Sequence, residues 1–220
     1  TALEDYTNSI ILKVHRSNYS ISGFTEEVSI KELADIKEKY ETVLIHDLGS
    51  GLVIDRKFLE INKIDIFNNE TSVQNSLDEG SDLVMFSGDK LFGSVQSGII
   101  AGKSRFVDNI REYSLFRTYR CSPSTLFELQ ETVSHYVEKK ESNIPFWHLV
   151  SQSYQSLEAR ANAIIADSSL KFDIEEGTSL IGGGTLPEVT MRSPVLLIKD
   201  GDSSSSLKIL LQNEVPIIAF

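Results

Sequence analysis

At 220 residues, 40% apolar and 24% charged, the sequence has the make-up of an ordinary soluble globular protein with room for one large or two small cored domains. A net charge of −11 argues against broad, non-specific nucleic-acid binding, which needs clustered Lys and Arg, but it leaves room for a local basic pocket. No apolar run approaches the roughly 20 residues that span a bilayer, and the single cysteine, Cys121, excludes an internal disulfide and a multi-Cys zinc site, so a cytoplasmic protein with no membrane partner is expected.

The first ~105 residues alternate strand-like and helix-like segments, which predicts an α/β layer with a mostly parallel sheet. "SIILKVH" (9–15) reads as a strand. "SIKELADIKEKY" (29–40) reads as a helix, with Ser29 and Glu32 spaced for a capping box and Ile30, Leu33 and Ile36 on one face. "TVLIHD" (42–47) is a second, buried strand, and "SVQNSLDEG" (72–80) a short helix closed by Gly80. "DLVMF" and "SGIIAG" are two more strands, on either side of a Ser87-Gly88-Asp89-Lys90 turn.

Beyond residue 104 the pattern changes. "SRFVDNIREY" opens a helix, and "SPSTLFELQETVSHYVEKK" (122–140) gives a longer one with Ser122 as cap and Pro123 at its first position. "PFWHLVSQSYQSLEARANAIIAD" (145–167) gives another. The strand-like pieces "KFDIEE", "GTSLIGGGT" and "PVLLIKD" follow around a Gly-rich joint, and "DSSSSL" (202–207) begins a helix. Two domains are expected, residues 1–112 and a smaller α/β unit over 113–220. The chain opens at Thr1 in structured-looking sequence and ends in the apolar run "VPIIAF" (215–220), so it reads as a fragment.

Ligands in open parallel sheets gather outside the carboxyl ends of the strands. Three polar segments fall at such ends: "HRSN" (15–18), "HDLGSG" (46–51) and "SGDK" (87–90). Together they suggest pyridoxal phosphate, which needs a lysine amine, a carboxylate to keep its pyridine nitrogen protonated, and small donors for its phosphate. Lys90 supplies the amine, although a lone lysine is ordinarily a surface residue. Asp47 ends a hydrophobic strand, where a carboxylate is costly unless a cation meets it. Ser87 can reach a phosphate, Gly88 permits close backbone approach, and His15 and Asn18 can contact the ring or its phenolic oxygen. Arg117 and Arg120, three apart, fit a solvated helical face or a site for an oxyanion.

The segments "KVHRSNYSISGFTEEVSIKELADI", "HDLGSGL", "VQNSLDEGSDLVMFSGDKLFGSVQSGIIAGK" and "LFRTYRCSPSTLFELQETV", with the later "GGGTLPE", resemble the bacterial L-seryl-tRNA(Sec) selenium transferase (selenocysteine synthase) family. The resemblance implies the fold-type I, aspartate-aminotransferase-like large domain and a smaller C-terminal domain. It implies that Lys90 carries pyridoxal 5'-phosphate, that Asp47 faces the pyridine nitrogen, and that Arg117 and Arg120 hold the oxyanion of the selenium donor. The implied reaction converts seryl-tRNA(Sec) to selenocysteinyl-tRNA(Sec) with selenophosphate through an aminoacrylyl intermediate, in a homo-oligomer that is a dimer or a larger ring. The family's tRNA-binding domain and the first half of its large domain precede the matching region, so the fragment is expected to be inactive alone. Ser94 and Val95 stand where Gly and Pro are usual, and His46 where an acidic residue is more common. Two other readings remain: a related pyridoxal-phosphate lyase for a small amino acid or amino sugar phosphate, and a non-catalytic paralogue.

Overall fold

A computed structural model describes residues 2–5, 9–16, 23–168, 171–182, 185–186, 189–199, 203–212 and 214–215. In chain order the elements are α1 (Ala2–Asp5), β1 (Ile10–Val14), α2 (Ile30–Lys39), β2 (Val43–Gly49), α3 (Arg56–Ile61), α4 (Val73–Asp78), β3 (Leu83–Ser87), β4 (Gly98–Gly102) and α5 (Ser104–Glu112). Then come α6 (Pro123–Val137), α7 (Pro145–Val150), α8 (Tyr154–Asp167), β5 (Phe172–Leu180), β6 (Thr190–Ile198) and α9 (Ser203–Leu211). Two compact units result, one of Thr1–Ser151 with Ile181–Val189, the other of Gln152–Leu180 with Thr190–Phe220.

The first unit is built on a four-stranded sheet in the order β1-β2-β3-β4. β1, β2 and β3 run parallel and β4 returns antiparallel to β3, giving the mostly parallel sheet that the alternating pattern predicts. Side chains alternate across the pleat. Leu44, His46 and Leu48 of β2 and Val84 and Phe86 of β3 are buried. On the opposite face Val43, Ile45 and Asp47 stand in register with Ile10, Leu12 and Val14, and those three β1 residues are 58%, 56% and 57% exposed.

Local rules account for the helix starts. The Ser29 hydroxyl accepts from the Glu32 N–H at 3.2 Å while the Ser29 N–H donates to the Glu32 carboxylate at 2.8 Å, closing the expected capping box of α2. Ser72 caps α4 through the Asn75 N–H, and Ser122 caps α6 through the Thr125 N–H with Pro123 in the first turn. The helix expected over 145–167 is instead two. Ser153 takes an extended conformation and its hydroxyl accepts from the Ser156 N–H at 3.1 Å, so cap chemistry interrupts an apolar periodicity that reads as continuous. α3 was not expected; Asp55 caps it by accepting from the Lys57 N–H at 3.0 Å.

Packing gathers the helices up to Val150 around the sheet, whereas the sequence pattern places a boundary at 112/113. Leu48, Val73, Val84, Phe86 and Phe92 form a core against which Leu129 and Tyr136 of α6 are packed. The Tyr136 hydroxyl donates to the Phe92 carbonyl and accepts from Trp147 Nε1, each at 2.8 Å. Trp147 is fully buried, edge-on to Phe67 with centroids 5.3 Å apart.

The second unit pairs β5 and β6 as one antiparallel ribbon, with α8 packed on it and α9 following β6. "KFDIEE" and the start of "GTSLIGGGT" are a single strand through Gly177, not two pieces. Gly183 and Gly184 of the Gly-rich joint lie outside the described residues. Among the described residues no helix is long and apolar enough to cross a membrane.

Candidate active site

Parallel strands bring their carboxyl ends to one edge, so the segments after β1, β2 and β3 become neighbours. The His15 N–H donates to the Asp47 carbonyl at 2.8 Å, just past the β1 ladder. Asp47 pairs with Met85 of β3, and a register shift follows before Gly49 meets Phe86. Gly51 has φ +72°, and a Cβ there would stand 2.7 Å from Phe86 Cδ2 and 3.1 Å from the Ser87 carbonyl. Only glycine lets this loop lie against the end of β3.

The lysine turn is tied to the same loop. The Leu91 N–H donates to the Ser50 carbonyl at 2.9 Å, and the Gly93 N–H to the Lys90 carbonyl at 2.9 Å. Gly88 donates its N–H to the Ser97 carbonyl at 2.9 Å, and a Cβ on it would come within 2.6 Å of the Val95 carbonyl. Lys90 itself is half-buried.

On the open face of the sheet lies a groove of about 1510 Å³. Asp47, Ser87, Arg117 and Arg120 all line it, together with Tyr113 and Cys121. Four residues singled out from three separate segments therefore meet in one cavity. Lys90 and His15 are not among its lining residues; the His15 N–H bonds the carbonyl of Asp47, and the Lys90 turn is tied to the loop after Asp47 through Leu91 and Ser50. Arg117 lies in a 3-10 turn, Ser114–Tyr119, and Arg120 follows in extended conformation, so they do not form the regular helical face that their spacing allows. Both are exposed. His15 turns its Nε2 toward Glu70 Oε1, 3.4 Å away, and Asn18 lies outside the described residues. Ser50 and Glu70, buried at this edge, carry no sequence signal that separates them from ordinary turn residues.

The family described as "SelA: L-seryl-tRNA selenium transferase" matches residues 1–219. The chain belongs to the SelA family. The L-seryl-tRNA(Sec) selenium transferase of Clostridium perfringens (strain ATCC 13124) is 36% identical over 234 residues, covering 99% of this chain and 49% of that protein. The one from Clostridium botulinum (strain Loch Maree / Type A3) is 37% identical over 214 residues, covering 90% and 44%. The SelA-family chain thus spans about half the length of the curated relatives it matches. Among solved structures, that of D-glucosaminate-6-phosphate ammonia-lyase aligns with a TM-score of 0.52 at 16% identity, over 92% of this chain and 46% of that one, and shows a shared mixed α/β fold.

In this SelA-family chain His46, the neighbour of Asp47, points to the opposite, buried face. Its Nδ1 is 2.8 Å from Ser76 Oγ, which is 3.0 Å from Ser81 Oγ, while Nε2 has no hydrogen-bond partner among the described residues. Burial, and then the nearby His15 and Lys13, push its pKa down from 6.5 to about 4. Between those values the unfolded chain takes up the proton and the folded chain does not. Stability is therefore expected to fall as pH drops from 6.5 through 4, by up to about 3 kcal/mol from this ring. Urea unfolding at pH 7 and 4.5 checks it: His46→Gln should flatten that pH dependence, and an unchanged slope counts against the ring as its source.

Proposed function

We propose that the protein containing this chain is a cytoplasmic selenium transferase that converts seryl-tRNA(Sec) to selenocysteinyl-tRNA(Sec) with selenophosphate, using pyridoxal 5'-phosphate. The observation that supports it most is the convergence of Asp47, Ser87, Arg117 and Arg120 on one groove, with the Lys90 turn bound to the loop after Asp47. The residues present fit the cofactor. Asp47 and Ser87 lie on the same sheet face at adjacent strand ends, and Gly88 leaves no room for a side chain in the turn between Ser87 and Lys90.

In this reading Lys90 holds the cofactor, Asp47 its pyridine nitrogen and Ser87 its phosphate, with His15 and Asn18 at the ring. When bound, the cofactor supplies an electron sink at the seryl Cα. Lys90, freed when the seryl amine takes its place on the cofactor, would move the Cα proton as a general base. Arg117 and Arg120 hold the selenophosphate oxyanion, a task suited to paired guanidiniums with fixed donor forks. A homo-oligomer, a dimer or a larger ring, belongs to the same proposal.

The test supplies the full protein with pyridoxal phosphate, seryl-tRNA(Sec) and selenophosphate and follows the aminoacyl group by mass spectrometry. Selenocysteinyl-tRNA is the expected product. Cofactor trapped by borohydride on Lys90 with seryl-tRNA left unchanged overturns the tRNA reading in favour of a small-molecule lyase. No trapping at Lys90 overturns the cofactor reading as well.

A further inference from the structure

Three strand ends meet at the candidate site, and one buried pair of side chains joins them. Ser50 is fully buried and Glu70 is 5% exposed. The Ser50 hydroxyl donates to Glu70 Oε1 at 2.5 Å, and the same carboxylate oxygen lies 3.4 Å from His15 Nε2. Through its carbonyl Ser50 also accepts from Leu91 N–H, next to Lys90, and His15 donates its N–H to the Asp47 carbonyl. The segment after β1, the end of β2 and the turn after β3 are thus linked by Ser50 and Glu70.

Glu70 is itself held from behind. Its N–H donates to the Phe67 carbonyl at 3.0 Å, and the Phe67 ring is fully buried against Trp147. A carboxylate in so dry a place is costly unless polar groups meet it; among the described residues the Ser50 hydroxyl donates to it and His15 Nε2 faces it at 3.4 Å. A carboxylate oxygen facing Nε2 favours the ring form that carries its proton there. In the neutral ring that leaves Nδ1 as the acceptor.

We propose that Ser50 and Glu70 are positioning residues that hold the His15 imidazole with Nε2 protonated and register the Lys90 turn against β2. The catalytic meaning of this pair rests on the function proposed above; its effect on the His15 ring does not. A loose imidazole presents a donor or an acceptor at either nitrogen, whereas a held one presents a single arrangement to whatever occupies the site.

The decisive readout is the ring proton of His15, observed directly by 1H–15N NMR on the cofactor-free protein at neutral pH. In the parent protein and in Glu70→Gln, which keeps an acceptor oxygen, the Nε2 proton is expected to be visible. In Glu70→Met, of similar length but with no oxygen, its exchange with water should rise by about tenfold or more, erasing the signal. A signal equally strong in Glu70→Met, or equally lost in both variants, overturns the proposal. Should Glu70→Met not fold, Ser50→Ala decides: faster exchange at His15 supports the pair, and unchanged exchange overturns it. Pyridoxal phosphate dissociation, measured separately, should be about tenfold faster in Glu70→Met and unchanged in Glu70→Gln. Equal dissociation rates in Glu70→Met and the parent overturn the coupling of the pair to the Lys90 turn. A parent protein that never takes up the cofactor sinks the functional reading and leaves the ring measurement to judge the pair by itself.

Discussion

Replacing Lys90 by alanine is expected to abolish covalent cofactor retention and to lower turnover by at least ~10³-fold, since one side chain is asked both to bind and to move a proton. The fold should tolerate the change. The bonds from Gly93 N–H to the Lys90 carbonyl, from Leu91 N–H to Ser50 and from Gly88 N–H to Ser97 are main-chain bonds, which alanine keeps. Lys90→Arg separates charge from chemistry. A guanidinium keeps the positive charge but stays protonated, so it cannot act as a nucleophilic amine, and it should be as inactive as alanine. Single-turnover assays alongside thermal unfolding decide the matter. If either variant kept a tenth of the parent activity, Lys90 would be an ordinary lysine in a turn.

The largest effect on stability is expected at Asp82, which is not among the groove's lining residues. Asp82 is 1% exposed and receives three donors: the Leu44 N–H at 2.9 Å, Lys103 Nζ at 2.6 Å and Lys37 Nζ at 3.4 Å. Lys37 is also buried, and it donates to the Gly80 carbonyl at 2.8 Å, so the ammonium locks the end of α2 to the start of β3. Burial alone would raise the Asp82 carboxyl, but the bonds from Lys103 and Leu44 and the Lys37 charge hold it below its usual 3.8. Among the described residues, Asp82→Ala leaves the buried Lys37 ammonium with only the exposed Glu38 carboxylate, 3.3 Å away, and strips the Leu44 N–H of its acceptor, which should cost roughly 3–5 kcal/mol. The sign with pH follows from the lowered value: the contribution is complete at neutral pH and is lost as pH falls below 3.8 through the folded-state value. Chemical denaturation of the variant and the parent measures both. A loss under about 1 kcal/mol would mean that the cluster is well solvated.

Elements whose instructions sit within four residues were legible without coordinates. The Ser29–Glu32 box, the Ser122 cap and the Pro123 start are all realised, because a cap is a bond between near neighbours. The strands of the sheet were legible for a similar reason, since short β-rich runs are bounded by polar turns. The break at 151–153 was hidden: a serine cap and a serine on a helix face look alike until one sees which backbone N–H the hydroxyl takes. The grouping of α6 and α7 with the sheet was hidden too, because it depends on Tyr136 meeting Phe92, 44 positions away.

The candidate site divides along the same line. Sequence alone determined which groups could do chemistry: an amine in a Gly-containing turn, a carboxylate at a strand end, a hydroxyl and two guanidiniums. Tertiary structure alone decided that Asp47, Ser87, Arg117 and Arg120 share a groove, that His15 faces Glu70, and that His46, one residue from Asp47, lies on the other side of the sheet. The reason is physical. A pleated strand sends neighbouring side chains to opposite faces, and parallel pairing brings distant segments to one edge. Residue type sets what a group can do, and the pairing of strands sets what it can reach.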